Sequence, residues 1–106
     1  MLIYVCGPYT DNPEKWMRKS EEIGIALAKM GHTPFMPHKH TFGWEKIDGL
    51  IYDDFIRMGL EWLEKCDAMF RFGFVSEGVD IELKRSSELN MPIYIRLEDV
   101  PNAQNK

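Results

Sequence analysis

The sequence predicts an α/β fold, a three-layer α/β/α sandwich around a parallel four-stranded sheet in the order 2-1-3-4. Three observations predict it. Short apolar runs at 2–6, 33–36, 68–74 and 92–97 are spaced along the chain. They are mostly continuous rather than alternating, which suits strands buried on both faces of a parallel sheet. Stretches with helical spacing lie between them, as crossover connections require. Right-handed crossovers then leave few topologies, and 2-1-3-4 is the commonest small one.

The first strand, 2–6, ends at Gly7-Pro8, strong turn chemistry. Asp11 or Asn12 can cap the first helix, with Pro13 at its first position and Glu14 in its first turn. Trp16, Ser20, Ile23, Leu27 and Met30 recur at helical spacing, Trp16 and Met30 reading as core, and Gly31 follows as the stop. The second strand, 33–36, carries Pro34 and is closed by Pro37, so it belongs at an edge. Residues 37–44 form a loop of imidazole and aromatic groups, either a pocket wall or a plain surface loop. The second helix, 50–65, has two apolar stripes. Ile51, Phe55, Met58 and Trp62 form one; Ile56, Leu60 and Leu63 form its neighbour. So wide an arc asks for burial on two sides, one of them against another subunit. Asp53 and Asp54 sit in the first turn, where the helix dipole favours acids. The third strand, 68–74, leads to a third helix opening at Ser76 and ending near Asn90, and the fourth strand is 92–97. The alternation makes a small Rossmann-like or flavodoxin-like domain over 1–100, with residues 101–106 expected as a frayed polar tail.

Composition narrows the function. The chain of 106 residues has a formal charge of -4 and scattered basic residues. An extended nucleic-acid surface needs a clustered basic face, so no polymeric nucleic acid is expected. A small anionic ligand stays open, because a helix N-terminus can hold phosphate. Cys6 and Cys66 adjoin apolar runs and read as buried free thiols rather than a bridge. No run approaches a membrane span and no signal peptide is evident, so a cytoplasmic protein without membrane association is expected.

In a sheet of this order, ligands bind outside the carboxyl ends of the strands where the order reverses. That point lies between the turn Gly7-Pro8-Tyr9 and the turn from Phe74 to Gly78. Ser76 is a good N-cap for the third helix, and Glu82 falls one turn past Gly78 on the same face. Helical side chains lean toward the N-terminus, so the Glu82 carboxylate should reach back over Gly78 into the crevice. Spacing alone leaves Glu82 open as a surface acid or a catalytic carboxylate, with the surface reading favoured. His38 and His40 with Asp53 and Asp54 raise a metal site and a metal-assisted hydrolase. Their spacing matches no strong motif, and a polar loop beside a dipole-stabilised helix start is preferred.

Three segments carry a resemblance: Ile3-Tyr4-Val5-Cys6-Gly7-Pro8-Tyr9, Leu60-Glu61-Trp62-Leu63-Glu64-Lys65-Cys66-Asp67-Ala68, and Ser76-x-Gly78-x-x-x-Glu82 ahead of Pro92-Ile93-Tyr94. In this order and spacing the chain resembles the nucleoside 2-deoxyribosyltransferase-like superfamily, from Met1 to about Leu97. The nucleoside 5′-monophosphate N-glycosidases and many small uncharacterised members belong to it. The resemblance implies cleavage or transfer at the N-glycosidic bond of a nucleoside or nucleotide. It makes Glu82 the nucleophile that attacks the anomeric carbon. Ser76 and Gly78 become the turn that contacts sugar or 5′-phosphate, and Gly7 and Tyr9 line the site. No cofactor is implied, and members often complete the site across a subunit interface, so a homo-oligomer, a dimer or larger, is expected. The chain departs from the pattern at Gly59, eight residues before Asp67, where the characterised enzymes carry an aspartate that protonates the departing base or holds the sugar. Asp53 or Asp54, one to two turns earlier, would have to replace it, and Asp54 is the expected second catalytic acid. A non-catalytic nucleoside- or nucleotide-binding module is the alternative.

Overall fold

Side-chain parity along the first strand divides the interior in two. β1 (Leu2–Cys6) alternates Ile3 and Val5 on one face with Tyr4 and Cys6 on the other, all four buried. In the computed structural model, which describes residues 1–103, β1 pairs in parallel with β2 (Thr33–Phe35) and β3 (Ala68–Arg71). β3 pairs in parallel with β4 (Ile93–Tyr94), so the sheet order is 2-1-3-4, as the sequence predicts. Pro34 sits on edge strand β2, where a missing N–H leaves no ladder bond unmade.

Ile3 and Val5 pack with Ala68, Phe70 and Phe72 against Ile23 and Leu27 of helix α1 (Pro13–Lys29). Tyr4, Cys6 and Met69 face the other way, toward Leu63 of α3 (Tyr52–Glu64) and Val79 of α4 (Glu77–Glu88). The result is the expected three-layer sandwich, with α1 on one face and α3 and α4 on the other.

The helix ends follow local chemistry. Asn12 rather than Asp11 caps α1, its Oδ1 accepting the Lys15 N–H at 3.4 Å, with Pro13 next. Gly31 and Asn90 take positive φ, 91° and 55°, just past α1 and α4. Trp16 and Met30 are partly buried against the α1-side core.

Two expectations change. Residues 37–40 form a one-turn helix, α2 (Pro37–His40), rather than irregular loop, because Pro37 presets the first helical position. Residues 101–103, the described part of the tail expected at 101–106, are held against the domain, as is Val100 before them. Val100 is buried in the α1-side core, the Ala103 N–H donates to the Met30 carbonyl at 3.0 Å, and the Pro101 carbonyl lies 2.5 Å from His32 Nε2. The rest of the expected tail, residues 104–106, lies outside the described residues. The helix α3 is buried only at Gly59 and Leu63, and Ile51 and Tyr52 at its start are 62% and 46% exposed. Among the described residues no helix is long and apolar enough to cross a membrane.

Candidate active site

β1 ends and α4 begins side by side at the point where the strand order reverses. Between them, with α3 as a third wall, lies a cleft of about 680 Å³. That volume is within the range of small-molecule sites. Five of the six sequence-predicted site residues line it: Gly7, Tyr9, Ser76, Gly78 and Glu82. The sixth, Asp54, does not. Its Oδ2 accepts the Ile51 N–H at 2.9 Å, and its Oδ1 lies 3.8 Å from Arg57 Nη2. Asp54 therefore satisfies an orphan donor at the start of α3, the role its first-turn position favours.

Ser76 is the N-cap of α4, its Oγ accepting the Val79 N–H at 3.3 Å. The cap starts the helix so that Glu82 projects toward β1. There two side chains from the same face of β1 hold its carboxylate. Tyr4 Oη donates to Oε2 at 2.6 Å, and Cys6 Sγ donates to Oε1 at 3.2 Å. Withdrawal from water raises the Glu82 pKa, and the two donated hydrogen bonds oppose that rise. Burial, followed by the Glu82 charge, pushes the Tyr4 phenol and the Cys6 thiol well above their ordinary values. Both therefore act as fixed donors to one carboxylate.

Gly59 of α3 lies directly against this group. A Cβ there would collide with Glu82 Oε2 and lie 3.0 Å from Tyr4 Oη. The missing side chain is the space that the carboxylate occupies. Gly78 is less constrained: a Cβ would lie 3.3 Å from Tyr52 Oη and 3.5 Å from Ile56 Cδ1. At Gly7 a Cβ would strike the Phe72 ring, so this glycine lets the β1 turn pack on β3.

The remaining wall comes from the segment between α1 and α3. Tyr9 Oη donates to Glu45 Oε1 at 2.9 Å and accepts the Gly43 N–H at 3.3 Å. Burial chiefly raises its pKa to about 12. The Tyr9 ring meets His38 edge-on at 5.1 Å. His38 Nε2 donates to the Pro8 carbonyl at 2.7 Å, and burial lowers its pKa against the pull of its backbone hydrogen bonds. His40 instead packs among Phe35, Trp44 and Trp62. The metal alternative loses its ligands. Among the described residues no three His, Cys, Asp or Glu side chains are grouped to hold an ion. Both cysteines are free, Cys6 buried and Cys66 half-buried.

Residues 1–96 match the family described as "Domain of unknown function (DUF7768)". The chain belongs to this family. Solved structures give the DUF7768 chain its wider fold relationship. The 2-deoxyribosyltransferase from Bacillus psychrosaccharolyticus, described as a biocatalyst for the synthesis of antiviral and antitumoral nucleosides, superposes with a TM-score of 0.63. The two chains are 22% identical over 88% of this chain and 69% of that one. The 2-deoxyribosyltransferase from Leishmania mexicana gives a TM-score of 0.64 at 17% identity, over 87% of this chain and 61% of that one. The DUF7768 chain thus has the 2-deoxyribosyltransferase fold and spans about two thirds of the length of these enzymes. No curated protein matches its sequence.

Tyr4, Cys6, His38, Glu45, Tyr52 and Glu77 also belong to the site and were not among its predicted residues. Tyr4 carried a signal: a tyrosine inside an otherwise apolar buried strand needs a partner for its hydroxyl. Cys6 shares its parity. Glu45 and Tyr52 carried none: Glu45 reaches the cleft through a pairing with the distant Tyr9, and Tyr52 is simply the first residue of α3.

Proposed function

We propose that the protein breaks the N-glycosidic bond of a nucleoside or nucleotide, with Glu82 as the nucleophile. The observation that carries this reading is the Glu82 carboxylate on the floor of the cleft, held by Tyr4 and Cys6. Two donors fix its oxygens, and the bare Gly59 leaves the room in which the carboxylate itself sits. Attack at the anomeric carbon forms a glycosyl ester and releases the base. Water or a second base then takes the sugar, which makes the protein an N-glycosidase or a deoxyribosyltransferase. Ser76 and Gly78 contact the sugar end, and Gly7 and Tyr9 wall the base. No cofactor has a part in this chemistry. The activity of the 2-deoxyribosyltransferases that share the fold supports the same choice of bond. We place the protein in the cytoplasm as a homo-oligomer.

The test is release of free base from a panel of nucleosides and 5′-monophosphates, with and without an acceptor base. Release is expected from the wild type, and Glu82→Gln should lower it by about 10⁴-fold or more, as loss of a nucleophile does. Undiminished release by Glu82→Gln would remove Glu82 from the chemistry. A second reading, a binding module without turnover, draws on the bare Gly59 and on Asp54 lying outside the cleft. Tight binding of a nucleoside with no base released by any panel member would favour it.

A further inference from the structure

The cleft lacks two things that a nucleoside-cleaving site ordinarily needs for a neutral base or a phosphate. The first is a proton donor. A neutral base leaves as an anion unless a positioned acid protonates it. Of the titratable groups lining the cleft, Glu82 is committed as nucleophile, and Tyr4 donates to it. The Tyr9 phenol spends its proton on Glu45 Oε1, and burial chiefly raises the Tyr52 phenol, making it a weaker acid than an ordinary tyrosine. His38 spends its Nε2 proton on the Pro8 carbonyl. Glu45 and Glu77 are exposed carboxylates, and Glu45 already accepts the Tyr9 hydroxyl. The second missing element is a cation. Among the described residues lining the cleft there is no lysine or arginine, while Glu45, Glu77 and Glu82 are all acids. Their field is felt at the mouth: after burial, the charges of Glu77, Glu82 and Asp53 raise the Tyr52 phenol.

From these observations we infer that the substrate is an unphosphorylated nucleoside whose base already carries a fixed positive charge, of the N-glycosyl-pyridinium class. The inference rests on the glycosidic reading of the site. The C1′–N bond breaks with its electron pair passing to the cationic ring nitrogen, which leaves as a neutral base. No proton is needed. The Glu82 carboxylate supplies the pair for the new C1′–O bond. Water then attacks C1′, the ester pair returns to Glu82, and one proton passes to solvent. The aromatic rings of Tyr9, Tyr52, Phe55 and Trp62 line the same cleft and suit a flat cation. The acids that attract such a base repel a 5′-phosphate.

Nicotinamide riboside, its reduced and uncharged dihydro form, nicotinamide mononucleotide, inosine and uridine serve as probes. Free base is measured, and each rate is divided by the uncatalysed rate. Nicotinamide riboside is expected to be accelerated most. The neutral nucleosides should trail by about 10²–10⁴-fold, the contribution of the absent proton donor. The mononucleotide should trail the riboside. Permanently charged 1-methylnicotinamide should bind more tightly than neutral nicotinamide, and Glu77→Gln should erode that preference. Equal acceleration of neutral and cationic nucleosides, or a preference for the mononucleotide, would overturn the inference while leaving the glycosidic reading in place. If every probe is left intact, both fall together.

Discussion

Gly59 and Glu82 form one feature seen from two helices. The carboxylate sits where a Cβ on α3 would stand, so the glycine and the glutamate specify each other. The colliding atom is the free end of a flexible side chain, so the fold can yield without coming apart. Gly59→Ala should therefore swing Glu82 off Tyr4. The expected stability loss is about 1 kcal/mol, the worth of a hydrogen bond. The expected loss in turnover is about 10²-fold, because a misplacement near 1 Å costs that much. Urea denaturation beside base-release kinetics would separate the two effects. The titration of Glu82 carries a second prediction. Its pKa is raised in the folded state, chiefly by withdrawal from water. The folded state thus holds a proton that the unfolded state gives up, and stability linked to this group is lost as pH rises through the folded value. Glu82→Gln, uncharged at every pH, should melt higher than the wild type at neutral pH. The gap should close on acidification toward the ordinary carboxylate range. Wild-type turnover should fall on its acid side above that range, since the nucleophile must be ionised. A melting gap that widens on acidification would contradict the sign. Spacing pointed Glu82 toward the crevice yet favoured a surface acid, and it was the resemblance that singled it out. The reason for Gly59 was not legible, because an empty position acquires meaning only when the atom that fills it is known.

At the scale of elements, two caps that look alike in sequence do different work. Ser76 holds the start of α4, the helix that carries Glu82, while Asp54 holds the start of α3 at a carboxylate outside the cleft. Ser76→Ala should cost about 0.5–2 kcal/mol, the usual worth of an N-cap, and should impair turnover as well. Asp54→Asn should leave turnover within a few-fold of the wild type. An Asp54→Asn enzyme with activity reduced as far as Glu82→Gln would return Asp54 to a catalytic role. The strands and long helices were legible because their apolar runs match the period of the element they form. The turn helix α2 was not, since its four residues, Pro37–His40, are too few to show any period. The wall at Glu45 and Tyr52 was hidden for a related reason. Tyr9 meets Glu45 across 36 positions of chain, a pairing no local pattern announces.

For the whole molecule, the sheet order followed from connection length and handedness, and the cleft followed from the sheet order. The chain's end did not, because Val100 is a lone apolar residue among polar neighbours. It is buried beside the α1 face, next in sequence to Pro101, whose carbonyl lies at His32 Nε2. Association is the remaining property at this scale. The apolar arc of α3 was expected to be covered on both sides, yet Ile51 and Tyr52 stay exposed in the single chain, with Ile47 51% exposed just before them. Part of the arc is accounted for by the cleft, which takes Leu50, Phe55, Ile56 and Trp62 as lining. Ile47 and Ile51 are not among those lining residues, and they lie next to the cleft wall in sequence. A second copy covering them would both bury apolar surface and close the open side of the site. Fully burying an isoleucine contributes about 1.5–3 kcal/mol, so two such anchors per copy are substantial. The wild type is therefore expected to sediment as a dimer or larger. Ile51→Glu should shift it toward monomer and raise KM for the substrate, with the melting temperature of the monomer little changed. A wild type that sediments as a monomer at every concentration, with undiminished turnover, would show instead that one chain completes the site alone.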